Sequence, residues 1–197
     1  MLSGLAGLYF MTRIYRIRAR PFWDHWQVST AFFGTAASLG GLLVALAWAA
    51  NVAMEPALQN RLALIIACGL AVEAIGLVFH ARAMEARGNE GAVSFHEQTT
   101  TFGYTYCLRN VLLGASLAGC LALAAISPSM PDAALIWGAL AAAMLTAAVI
   151  GRTLFYVLVI PTTMPGAFFW RNKGFEEHAR ETGLARLPQV GVAMHGH

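Results

Sequence analysis

The 197-residue chain is 58% hydrophobic and 12% charged, with a mean hydropathy of +0.59. Because about 25% of residues are charged in an ordinary soluble domain, this composition excludes that class and indicates an integral membrane protein. The net charge of +3 comes from 13 basic and 10 acidic residues. The basic residues cluster beside the apolar stretches, a distribution that serves membrane orientation and gives no support for nucleic-acid binding.

Four apolar stretches fill most of the chain, at residues 28–54, 62–81, 110–131 and 133–151. Each supplies about 18 or more residues, enough to cross roughly 30 Å of hydrocarbon. Barrel strands alternate polar and apolar residues and these runs do not, so their backbone groups must pair within helices. We therefore predict an all-α fold, a polytopic transmembrane helical bundle of about five helices. The predicted helices cover roughly residues 1–19, 28–53, 60–84, 108–127 and 133–160, in a bundle at 1–165 that precedes a cytoplasmic tail at 166–197.

The first predicted helix is too short to span a membrane, since only about a dozen apolar residues precede Arg13 at a rise of 1.5 Å per residue. A signal peptide is a poor interpretation, because no basic residues precede the run and no small-residue cleavage site follows it. We expect this segment to be the end of a transmembrane helix whose beginning, with earlier helices, lies upstream.

A basic and aromatic turn follows, in which Pro21 stops the helix. Its arginines and tryptophans are typical of a membrane interface. The next helix carries small residues at spacings of three and four, a pattern suited to close contact with a neighbouring helix. This stripe consists of Thr30, Gly34, Ser38, Gly41 and Ala45.

The distribution of Lys and Arg among the connections predicts the orientation. The first turn has four, residues 82–109 have three and the tail has four, whereas the two remaining loops share only Arg61. By the positive-inside rule, the first group and the C-terminus face the cytoplasm. Residues 88–105 are predicted to be a polar loop, and the chain returns to the membrane at Arg109.

Glu73 lies inside the second complete span, about 18 Å along the helix from Arg61. A charge in hydrocarbon costs a few kcal/mol or more unless it is paired, neutral or turned inward, so such residues mark functional sites. His80 follows two turns later on a face shared with Gly69 and Gly76, which leaves room for a neighbouring helix or a flat ligand. The alternative is structural: Glu73 pairs with a polar group of a neighbouring helix, and His80 sits at the interface.

Arg152 lies about 28 Å along the last span, at the depth of His80. We predict that His80, Arg82, Arg152 and Tyr156 form one layer that offers hydrogen-bond donors to a carbonyl, with His80 and Glu73 carrying protons. An arginine whose head group merely reaches the interface is the alternative.

The positions of the histidines and cysteines limit which redox cofactors this chain could hold. Only His80 is near the interior of a span, which argues against haem held between two histidines, and no four-cysteine pattern for an iron–sulfur cluster exists. We expect Cys68, Cys107 and Cys120 to be free thiols and expect no metal site. If electrons pass through this chain, a quinone in a pocket is the natural carrier.

Three segments resemble the membrane-anchor subunits of the dimethyl sulfoxide reductase family. Ile14-Tyr15 with Arg20-Pro21-Phe22-Trp23 is similar to a tyrosine and Arg-Pro-x-Trp pattern of that family, and Gly151-Arg152-Thr153-Leu154-Phe155-Tyr156 is similar to its terminal Gly-Arg-x-x-Phe-Tyr; Arg109-Asn110-Val111-Leu112-Leu113 is a weaker third segment. The family typically has eight helices, of which this chain resembles the last five. A family segment, His-Leu-Gly, implicated in quinol oxidation, has no counterpart here.

The resemblance implies an anchor that exchanges electrons between membrane quinone or menaquinone and an iron–sulfur subunit, which serves a molybdopterin catalytic subunit. It implies a location in the bacterial inner membrane, with the lipid bilayer around the bundle. Arg152 and Tyr156 would orient the quinone, and Glu73 and His80 would relay protons. The partner would dock on the basic turn and on residues 82–109; the candidate docking residues of the turn are Arg13, Arg16, Arg18, Arg20, Trp23 and His25.

Two alternatives remain from the sequence. The first is a small proton-coupled transporter or channel built around Glu73, although the chain shows no inverted repeat and no pair of broken spans. The second is a purely structural anchor whose quinone site lies in upstream helices.

Overall fold

A computed structural model of the chain describes residues 2–17, 20–51, 55–86, 90–126, 132–159, 177 and 179–186. Regular structure within these ranges is helical, so the predicted all-α class is confirmed. The helices are α1 (Leu2–Tyr15), α2 (Gln27–Asn51), α3 (Pro56–Ala86), α4 (Glu90–Thr99), α5 (Gly103–Ile126) and α6 (Asp132–Val157), with a 3-10 turn at Leu184–Arg186. Most of the predicted tail lies outside the described residues.

Four of these helices are long and apolar enough to cross a membrane. Their candidate spans are Gln27–Trp48, Ala57–Ala86, Gly103–Ile126 and Ala133–Val157. Helix α1 has 14 residues, about 21 Å at the helical rise, and is shorter than a span. The prediction of about five membrane helices is therefore met by four spans and one shorter helix among the described residues.

Residues 90–99, which we expected within a polar loop, form the connecting helix α4 instead. Ser94, Phe95 and Gln98 are buried along one face of it, and these positions are spaced as one side of a helix requires. Helix α5 likewise begins earlier than predicted, at Gly103. The prediction of a loop was wrong because the apolar face of α4 is narrow and lies among threonines and charged residues.

The four spans form a closed ring. Helix α2 packs against α3, α3 against α5, α5 against α6, and α6 against α2; α1 lies on α2, and α4 lies against α3 and α5. Trp137, Ile66 and Leu123 anchor the main core. A second cluster, around Trp23, Met84 and Leu154, lies where α1, α3 and α6 end and α2 and α5 begin. We call this the turn end, because the described part of the interfacial turn, residues 20–26, covers it.

Helices α2 and α3 approach until their backbones touch. A β-carbon on Gly34 would lie 2.7 Å from the carbonyl oxygen of Gly69, and one on Gly69 would lie 2.8 Å from that of Gly34. A β-carbon on Gly41 would meet Ile66 at 2.8 Å. The small-residue stripe of α2 is thus confirmed as a surface for close helix contact. The glycine-lined face of α3 that carries Glu73 is filled by α2.

Candidate functional site

The centre of the candidate site is a buried ion pair between Glu73 of α3 and Arg109 of α5. Nη2 of Arg109 donates to Oε1 of Glu73 at 2.7 Å. The other carboxylate oxygen accepts from Oγ1 of Thr35 in α2 at 3.2 Å. The two charged residues are 9% and 4% exposed. Removing one partner from such a pair leaves an uncompensated buried charge, at a cost of about 3–5 kcal/mol.

The structural alternative for Glu73, pairing with a polar group of a neighbouring helix, is what the structure contains. The partner, Arg109, was not predicted as a site residue, because it was expected at the edge of a polar loop. Since α5 begins at Gly103, Arg109 instead lies in the second turn of a helix and points into the ring. Arg109 could have been found from the sequence, because an acid inside a membrane needs a cation as its partner.

His80 joins α3 to the interfacial turn. Its Nε2 lies 3.0 Å from the carbonyl oxygen of Phe22, and because a carbonyl only accepts, this nitrogen carries the hydrogen. The Phe22 ring meets the imidazole edge-on at 4.8 Å, and the ring of His25 lies 5.3 Å away. His80 is 6% exposed and therefore belongs to the interior of the turn end.

Arg152 of α6 reaches across to α2. Its guanidinium carbon lies 4.1 Å from the centre of the Phe32 ring, a distance typical of a cation–π contact. The same ring stacks against Tyr15 of α1, with the ring centres 5.6 Å apart. Arg152 is only partly buried, so its charge is held beside the site by an aromatic ring and keeps some access to solvent.

Two of the three segments that carry the sequence resemblance contact each other. Nε1 of Trp23 donates to the carbonyl oxygen of Phe155 at 2.7 Å, and the two rings stack with centres 4.8 Å apart. Beside them, the hydroxyls of Tyr15 and Tyr156 are 2.8 Å apart. The interfacial turn and the end of α6 are therefore one packed unit.

A cavity of about 50 Å³ lies between the four spans at the turn end, with room for about four water molecules. Its polar lining consists of Gln27, Thr35, Glu73, His80, Gln98, Arg109 and Arg152. Its apolar lining includes Phe22, Leu154 and Phe155. Three of the five predicted site residues thus meet around one space, together with Arg109 and Gln98, which the sequence analysis did not select.

The other two predicted residues lie elsewhere. Arg82 is exposed because it follows His80 by two residues, about 200° around the helix, and depth alone had grouped them. Tyr156 is 49% exposed and pairs with Tyr15 outside the cavity. Both sit at the turn end, but neither lines the space around Glu73.

The cavity has unused hydrogen-bonding capacity. Oε1 of Gln98 and Nε of Arg109 are buried and have no hydrogen-bond partner within the described part of the chain. An unmet buried polar atom costs roughly 1–3 kcal/mol, so these atoms favour a polar occupant. The lining carries two guanidinium groups and one carboxylate. This excess of positive charge favours an occupant with electron-rich oxygen atoms.

The predicted docking residues divide into exposed and buried groups. Arg13 and Arg16 are exposed, and Arg20 lies over the Trp23 ring at 4.4 Å. Trp23 and His25 are 4% and 8% exposed, so their side chains support the turn from inside. Arg18 lies outside the described residues. Within the ranges that the structure describes, no group of three or more histidine, cysteine or acidic side chains is placed to hold a metal ion.

The profile of the DMSO reductase anchor subunit (DmsC) family matches residues 1–158 of this chain. The chain belongs to this family. The match extends over α1 to α6 and includes every residue of the cavity. The chain is thus a multi-pass membrane protein and a membrane anchor subunit of a DMSO reductase-type complex. Comparisons with curated proteins and with solved structures gave no match.

Proposed function

We propose that this anchor subunit exchanges electrons between a membrane quinone, such as menaquinone, and an iron–sulfur subunit that serves a molybdopterin catalytic subunit. The observation that carries the proposal is the cavity at the turn end, where the Glu73–Arg109 pair, His80 and Arg152 converge. A concave space on which polar groups converge is the first place to expect a small-molecule site.

The donor set suits a quinone head group. A quinone presents two carbonyl acceptors and a quinol presents two hydroxyl donors. Among the described residues, Nε of Arg109 is a donor without a partner and Oε1 of Gln98 an acceptor without one. The apolar side of the cavity offers ring contact through Phe155 and Phe22. These residues therefore fit both forms of the head group.

A bound quinone supplies chemistry in which two electrons and two protons are exchanged. Arg109 and Arg152 orient its oxygens and stabilise negative charge on them. His80 Nε2 carries a proton against the Phe22 carbonyl, and the carboxylate of Glu73 is a proton acceptor on the lining of the same cavity. Phe22, Leu154 and Phe155 provide apolar contact for the ring.

The partner subunits dock, in this proposal, at the turn end. Exposed Arg13, Arg16 and Arg82 lie there, and a basic surface fits an acidic partner. The positive-inside rule sets this end toward the cytoplasm of a bacterial inner membrane, with the C-terminus on the same side.

The test is electron transfer from a quinol in membranes that contain the intact complex. Arg152→Gln removes a cavity cation, and we expect at least a tenfold loss of quinol-linked turnover with complex assembly unchanged. Arg61→Gln is the matched control, because Arg61 is exposed at the opposite end of α3. Unchanged turnover in Arg152→Gln and in Gln98→Leu would favour a purely structural anchor. Solute uptake by the isolated chain would favour the transporter.

A further inference from the structure

A second, smaller cavity lies deeper in the helix ring. It measures about 10 Å³, close to the roughly 10–15 Å³ that one water molecule requires. Its polar lining consists of Thr35, Ser38, Glu73 and Ser116, and Met144 contributes to the apolar side. It shares Thr35, Glu73 and Ala148 with the larger cavity, so the carboxylate of Glu73 separates two spaces.

The serines on this lining lack strong partners. Ser116 is 1% exposed, and its Oγ has no hydrogen-bond partner within the described residues. Ser38 is 2% exposed and donates to the carbonyl oxygen of Thr35 at 3.3 Å, at the long end of the usual range. A buried water is expected where a polar cavity offers two to four partners.

We propose that the smaller cavity binds one ordered water molecule, which hydrogen-bonds Ser116 and Ser38 and extends the hydrogen-bond network of Glu73 toward the middle of the bilayer. Ser116 lies seven residues beyond Arg109, about 10 Å further along α5 at the helical rise. Glu73 then borders this water on its deep side and the larger cavity on the side of the turn end.

The water site does not depend on the proposed quinone chemistry, and its test measures hydration alone. X-ray pulses form hydroxyl radicals from water bound inside a protein, and nearby methionine sulfur is oxidised and detected by mass spectrometry. In the intact complex we expect Met144, 3% exposed, to be oxidised at least fivefold faster than Met84, which is 0% exposed and lines neither cavity.

Variants test the assignment to Ser116. Ser116→Val occupies the space with a methyl group and removes the hydroxyl, and it should reduce oxidation of Met144 to the rate of Met84. Ser94→Val is the control, since Ser94 is also buried without a partner among the described residues but borders neither cavity. Equal oxidation of Met144 and Met84 in the unaltered protein overturns the proposal even if a variant fails to fold. A Met144 rate that Ser116→Val leaves unchanged overturns it as well.

Discussion

A β-carbon on Gly151 of α6 would lie 3.3 Å from Nε of Arg109 on α5. The guanidinium that pairs with Glu73 therefore passes α6 at a position where that helix has no side chain. Glycine immediately before Arg152 thus has a physical reason. It leaves room for the ion pair between α3 and α5, while Arg152 itself points to Phe32.

Gly151→Ala should weaken this arrangement. Alanine gains about 0.5–1 kcal/mol of helix propensity, but its methyl group crowds a guanidinium held by Glu73, and overpacking costs about 1–3 kcal/mol. We expect it to be less stable than Gly138→Ala by about 1 kcal/mol in reversible unfolding in mixed detergent micelles. Gly138 lies on the same helix and has open space within 4 Å. Equal stabilities of the two variants would contradict the proposed contact.

The contact between α2 and α3 predicts a larger effect. In Gly34→Ala the new methyl group meets the backbone oxygen of Gly69, which cannot move as a side-chain tip can. We expect a loss of about 1–3 kcal/mol, measured by the same unfolding method. Gly40→Ala on the same helix, with open space around it, should leave stability unchanged or raise it slightly; a similar loss there would assign the effect to α2 alone.

The ion pair predicts strong non-additivity. Glu73→Gln and Arg109→Gln each strand a buried charge, so each should cost about 3–5 kcal/mol of unfolding free energy. The double variant removes both charges and should cost much less than the sum. Glu85→Gln, an exposed position near the end of α3, should change stability by under about 0.5 kcal/mol. Additive costs would show that the two residues do not interact.

Trp23→Phe separates stacking from hydrogen bonding at the interfacial turn. Phenylalanine keeps a ring over Phe155 but loses the donor to the Phe155 carbonyl. Loss of this hydrogen bond should cost about 1 kcal/mol. We therefore expect roughly fivefold faster hydrogen exchange at the backbone N–H groups within residues 20–26. Trp48→Phe, at a 43% exposed position of α2, is the control and should leave these amides unaffected. Unchanged exchange in Trp23→Phe would mean that stacking alone holds the turn.

The sequence was most informative where one physical quantity decides the outcome. Apolar length gives the spans, and the 3.6-residue period puts Glu73 and His80 on one face. Which helix fills that face is a tertiary question, answered by the fit of Gly34 to Gly69. Arg109 was missed because the start of α5 was set by hydropathy, whereas the helix begins at Gly103, ahead of its apolar residues. Arg82 was misplaced relative to the cavity because depth was considered without the angle around the helix.

The interfacial turn is also a mechanical element. Within a few residues of exposed Arg16, the same segment supplies the carbonyl that holds His80 and the indole that holds α6. In the proposed complex, a subunit bound to Arg16 would contact the segment that also covers the cavity. In the proposed complex, docking at the membrane surface and access to the buried carboxylate would therefore depend on the same short segment.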